Sequence, residues 1–90
     1  MTTPRDEHIA AKILELLAAR APGATICPSD AARALASDEA TWRALMPEVR
    51  RVAATLAAAD TLRVTQHGED VDALTARGPI RLGRPPTSPT

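Results

Sequence analysis

The hydrophobic period changes once along this 90-residue chain, near Thr61. Before that point apolar residues recur at helical spacing; beyond it Leu62 and Val64 alternate with Arg63 and Thr65. Helices followed by strands imply an α+β arrangement rather than alternating β-α-β units. The apolar supply limits its size: nineteen of the apolar residues are alanine, and Trp42 is the only aromatic. That is enough for one small core and one domain.

The elements can be placed from local chemistry. Thr3-Pro4-Arg5-Asp6 has the form of a capping box with proline at the first helical position, so a helix is expected from there to about Arg20. Ile9, Ile13, Leu16 and Leu17 form its apolar stripe. Thr25-Ile26-Cys27 is β-prone and stopped by Pro28. Ser29 is the expected N-cap of a short helix reaching Ala36, with Ala32 and Leu35 inward. Proline in a helix interior costs about 3 kcal/mol but almost nothing in a first turn, so residues 39–60 are divided at Pro47. The division predicts a short helix over 40–45 and a third main helix over 47–59, with Val49, Val52, Ala53 and Leu56 inward. Leu62 to Gln66 and Ile80 to Leu82 are expected strands, joined by a long loop over residues 67–79. Residues 84–90, with three prolines and no apolar anchor, are expected to be a disordered tail.

The order helix, strand, helix, short helix, helix, strand, strand is that of a winged-helix domain, here residues 3–83. The expected fold is therefore α+β, with three main helices, a short extra helix and a two- or three-stranded β-wing. The stretch over residues 37–46 is longer than the usual three-to-four-residue turn between the second and third helices. The strings Thr25-Ile26-Cys27-Pro28-Ser29-Asp30-Ala31-Ala32-Arg33-Ala34-Leu35, Trp42-Arg43-Ala44-Leu45-Met46-Pro47, Val64-Thr65-Gln66-His67-Gly68 and Gly78-Pro79-Ile80-Arg81 resemble a small bacterial family, domain of unknown function 3253. That resemblance implies a helix-turn-helix type of fold and brings no activity, ligand or catalytic residue.

Charge directs the functional reading. Eleven basic and eleven acidic residues cancel overall. Within residues 41–68, however, four bases face two acids, while residues 1–40 carry six acids and four bases. The basic excess falls on the third helix and first wing strand. Arg50, Arg51 and Thr55 on the outer face of that helix, Arg43 before it, and Arg63, Arg77 and Arg81 on the wing are the candidate nucleic-acid-binding residues, with Arg84 at the exit. Arginine reads guanine and phosphate bidentately, and Ala54 and Ala58 would permit close approach to a groove. The expected partner is double-stranded DNA, as for a transcriptional regulator. The alternative is a protein-protein interaction module, with a homodimer or another protein as partner, because fold alone does not fix function. Neutral charge and a pI near 6.7 limit the DNA reading, since DNA-binding domains are usually basic.

Other chemistry finds little support. One cysteine and two histidines cannot build a disulfide framework or a four-ligand zinc site, so neither metal nor cofactor is expected. Cys27 reads as a buried thiol, His8 and His67 as surface residues, and Trp42 as a core plug between the short helix and the first helix. The glycines at 78 and 83 are spaced as in a phosphate-binding loop, but Arg84 and Pro85 replace the lysine and hydroxyl that such a loop needs. No nucleophile, base and oxyanion donor converge in the sequence, so the chain reads as a non-enzyme. No apolar run is long enough to span a bilayer and no secretory pattern opens the chain, which predicts a cytoplasmic protein without membrane contact.

Overall fold

The computed structural model describes residues 4–85. Helix α1 (Pro4–Ala18) opens at the proline expected to lead it; Thr3, its expected cap, lies outside the described residues. The helix ends two residues before Arg20, where the Arg20 amide donates to the Leu17 carbonyl at 3.1 Å and tightens the last turn. Gly23, at φ 87°, then turns the chain into strand β1 (Thr25–Ile26).

Helix α2 (Pro28–Leu35) begins two residues earlier than an N-cap at Ser29 would dictate. Cys27 is its N-cap and Pro28 its first residue, where a missing N–H leaves no bond unmade. Asp30 reaches back to accept the Cys27 amide at 2.9 Å, completing half of a capping box. Cys27 is half-buried rather than sealed in the core, and its sulfur accepts the Ser29 hydroxyl at 3.1 Å. On the inner face Ala31 and Ala32 are fully buried, whereas Leu35 is only half covered.

Three residues, 36–38, connect α2 to helix α3 (Glu39–Ala58), which runs unbroken through Pro47. The predicted division at Pro47 is therefore wrong, and so is the separate short helix. Asp38 caps the whole helix, accepting the Thr41 amide at 2.7 Å. Continuity keeps Leu45, Val49, Val52 and Ala53 on one buried face, which a break at residue 47 would put out of line. Pro47 and Arg43, whose carbonyl the proline leaves without an amide partner, are both exposed, so water can satisfy that carbonyl. The apparently long linker of residues 37–46 is thus mostly helix.

The end of α3 is a Schellman motif. The Thr61 amide donates to Leu56 at 2.9 Å and the Asp60 amide to Ala57 at 3.0 Å, with Asp60 left-handed at φ 58°. Strand β2 (Arg63–Gln66) turns through His67 and Gly68, at φ 53° and 83°, into β3 (Glu69–Asp70). Two successive positive φ values make a two-residue turn of the hairpin type. Glu69 and Asp70 therefore belong to a strand, and the predicted loop starts only after them. Strand β4 (Arg81–Gly83) completes the sheet.

The four strands are antiparallel in the order β1-β4-β2-β3, with Leu82 paired to both Ile26 and Val64. Leu62, Val64, Ile80 and Leu82 are all buried. They close over Ile9, Ile13 and Leu17 of α1 and Val49 and Val52 of α3, with Ala31, Ala32 and Ala53 letting the helices approach closely. The molecule is α+β, with three helices and one sheet. Among the described residues no helix is long and apolar enough to cross a membrane.

Candidate nucleic-acid interface

Helix α3 leaves one stripe exposed along its length: Ala40, Ala44, Pro47, Arg51, Thr55 and Ala58, at intervals of three and four. Of the outer face anticipated from the sequence, Arg51, Thr55 and Ala58 lie on this stripe, which the turns before Pro47 lengthen, whereas Arg50 and Ala54 are half-buried beside it. Its surface is flat, because most of its side chains are small.

The arginines assigned to this surface are largely committed to the protein itself. Arg51 forms a bidentate pair with Asp6 of α1, at 2.6 and 2.9 Å. The Asp6 side chain is 7% exposed, while Arg51 keeps about half of its side chain in solvent. The hydrogen bond to Asp6 and its negative charge raise the Arg51 pKa further above its ordinary value. Beside this pair Arg5 meets Glu48 at 3.0 Å, so two ion pairs fasten the start of α1 to α3.

Arg50 faces the other way. It donates to the carbonyls of Ala76 and Gly78, at 3.0 and 2.6 Å, and holds the segment between β3 and β4 against α3. Thr55 turns its hydroxyl back to the Arg51 carbonyl at 3.2 Å, yet remains exposed. On the outer sheet face Arg63 pairs with Asp70 and Arg81 grips Thr25 through its hydroxyl and carbonyl, at 2.9 and 3.0 Å. Arg63 and Arg81 share this face, since Thr65 lies opposite Arg81 and Arg63 opposite Gly83.

Arg84 departs most from expectation. Instead of opening a loose tail, it donates to the carbonyls of Leu17, Ala18 and Arg20 at 2.8, 3.3 and 2.9 Å. A cation there adds a donor to the last carbonyls of α1, that of Leu17 already accepting the Arg20 amide, and meets the negative end of the helix dipole. The rest of the predicted tail, residues 86–90, lies outside the described residues.

Arg43 and Arg77 are the least constrained of the set. Arg43 pairs with Glu39 one turn earlier, at 3.1 Å and with both side chains about two-thirds exposed. Among the described residues the Arg77 guanidinium has no ion-pair or hydrogen-bond partner, and it projects from the segment that Arg50 anchors. Trp42 is not the core plug expected. It is half-buried, with the Arg33 and Arg43 guanidinium groups 4.7 and 5.4 Å from its ring centre. The adjacency of Trp42 and Arg43 hints at this stack in the sequence, whereas Arg33 comes from α2 by tertiary packing alone. Among the described residues no group of three or more His, Cys, Asp or Glu side chains is placed to hold a metal ion.

No curated protein matches the chain. Residues 6–85, nearly all that the structure describes, match the family described as Protein of unknown function (DUF3253), and the chain belongs to that family.

Proposed function

We propose that the chain is a winged-helix domain that binds double-stranded DNA through the outer stripe of α3, with Arg43 and Arg77 as its freest phosphate contacts. The observation that carries this reading is the pairing of α2 with α3 across three residues, with α3 left exposed on one face for its full length. Such a pairing supports a helix-turn-helix reading, in which the second helix would lie in the major groove. Strand order supports the winged-helix assignment: β4 sits between β1 and β2, so the hairpin segment flanks the third helix. Small residues at 40, 44 and 58 suit a helix entering a groove about 12 Å wide.

The test is titration of a fluorescent random-sequence duplex at about 50 and 200 mM salt. With two to three phosphate contacts the affinity should fall with a log-log slope of about −2 to −3. Arg43→Ala with Arg77→Ala should weaken binding to all sequences and reduce the slope by about 2, without altering the fold, because neither side chain anchors another element. Absence of binding at about 50 mM salt refutes the reading.

A second reading, a protein-interaction module on the same scaffold, is favoured by one observation: Arg50, Arg51, Arg63, Arg81 and Arg84 all bond within the chain. An outer helix face with most of its cations already engaged suits a neutral partner better than a polyanion. The duplex titration separates the two readings.

A further inference from the structure

Leu74 is the most exposed of the large apolar side chains among the described residues, at 63%. It is also firmly held. Its amide donates to the Asp72 carboxylate at 2.8 Å, and the Thr75 and Ala76 amides donate to the Asp72 carbonyl at 3.2 and 2.9 Å. Arg50 fixes the next turn through Ala76 and Gly78. The segment therefore presents an apolar side chain to water on a supported backbone.

Leu74 stands between two shallow hollows against α3. One is lined by Met46, Pro47 and Arg50; the other is floored by Ala54, Ala57 and Ala58 and edged by Asp72. Met46, Pro47 and Arg50 precede Ala54, Ala57 and Ala58 along α3, so the patch has a cation toward one end, Asp72 toward the other and a leucine between them.

Such a patch is complementary to itself. A two-fold axis lying in the plane of the patch, through Leu74 and across the line from Arg50 to Asp72, brings Leu74 against the second copy's leucine. The same rotation lays each Arg50 end against the other copy's Asp72 end, as an isologous interface requires. A polyanion gains nothing from a patch of balanced charge, and both hollows are too open to enclose a small molecule.

We propose that this face forms a homodimer of the chain in solution, centred on Leu74. The patch meets the stripe proposed to face DNA at Pro47 and Ala58, whereas Ala40, Ala44, Arg51 and Thr55 lie outside it, and sedimentation without DNA reads the dimer apart from the duplex titration. With one large apolar residue per copy, the interface belongs to the small class below about 1,200 Å². A dissociation constant on the order of 10 to 100 µM follows for so small a contact.

Sedimentation velocity over roughly 5 to 500 µM tests the proposal. The wild-type chain should pass from monomer to dimer across that range. Leu74→Glu places two carboxylates together on the axis and should remain monomeric throughout with an unchanged circular dichroism spectrum. Ala58→Glu, at an exposed helical position in the second hollow, should weaken the dimer at least tenfold and supplies the same test should Leu74→Glu fail to fold. A wild-type chain that is monomeric at about 500 µM overturns the proposal, as does a dimer undiminished by either substitution.

Discussion

Replacing Pro47 by alanine asks whether α3 is one helix or two. Proline at the ninth of twenty helical positions removes one amide-to-carbonyl bond, crowds the Arg43 carbonyl and disfavours helical geometry at Met46. Relative to alanine an interior proline is unfavourable by about 3 kcal/mol. Part of that is already relieved here, because the Arg43 carbonyl is on the exposed side where water can reach it. Pro47→Ala restores a backbone bond contributing about 0.5 to 1.5 kcal/mol and removes the ring contact, while the unfolded chain gains about 0.4 to 1 kcal/mol of conformational freedom. Taking the whole penalty of about 3 kcal/mol less the part already relieved leaves a net stabilisation of roughly 1 to 2.5 kcal/mol, which for a domain this size raises Tm by about 4 to 8 °C per kcal/mol. Urea denaturation followed by far-ultraviolet circular dichroism measures it directly. The midpoint should rise with an unchanged m-value, since Pro47 buries little and the surface exposed on unfolding stays the same. If α3 were two helices with Pro47 in the first turn of the second, the proline would be well placed there and alanine would give no gain or a loss. Stability unchanged within about 0.5 kcal/mol, or reduced, would refute the continuous helix.

Three further outcomes depend on the termini and turns. Arg84→Ala should destabilise the fold by about 1 to 3 kcal/mol, because it strips a charge-assisted cap from the last turn of α1 and unties that helix from the strand beside it; an unchanged urea midpoint would mean that residue 84 is as loose as its sequence context suggests. Asp60→Gly should stabilise by about 0.5 to 1 kcal/mol, since glycine takes the left-handed position without a Cβ penalty; thermal melting checks the sign. Hydrogen bonding from the Thr41 side chain, and next from the Thr41 amide, holds the Asp38 carboxyl below the ordinary 3.8. A depressed folded value means that its stabilisation is complete above 3.8 and is lost as pH falls through the lower folded value. Asp38→Asn keeps the cap without the charge, so its acid-unfolding curve should lose part of its steepness below pH 3.8, and an identical curve would exclude the carboxylate as a contributor.

Local chemistry carries much of the secondary structure. The stripe of Ile9, Ile13 and Leu17, the alternation of Leu62 and Val64, and the glycine at residue 68 each report short-range geometry, and the structure places helix, strand and turn there. The fold class followed because the change of period near Thr61 separates helices from strands. Two local readings failed where competing signals had to be weighed. Ser29 and Cys27 could both precede a helix, and the fit of Pro28 to the first helical position, with Asp30 three residues beyond Cys27, decided for the cysteine. Pro47 is unfavourable within a helix on its own, but the shared buried face of Leu45, Val49 and Val52 outweighs that local term.

The candidate site was legible in composition and not in detail. Its residue types and its outer helix face were visible from spacing, because helical geometry relates neighbours a few positions apart. What each arginine touches was not, since a long side chain with several rotatable bonds reaches whatever acid or carbonyl the fold brings within range. Arg50 bonds 26 residues away, Arg51 45 and Arg84 67. By itself the sequence determined where helices and strands form and which faces they bury, since these depend on torsion preferences and periodicity within a few residues. Only the tertiary structure decided that Pro47 would be carried inside one helix and that arginines suited to a nucleic acid would instead fasten α1, the sheet and the segment between β3 and β4. Those outcomes depend on packing and charge pairing between residues far apart along the chain.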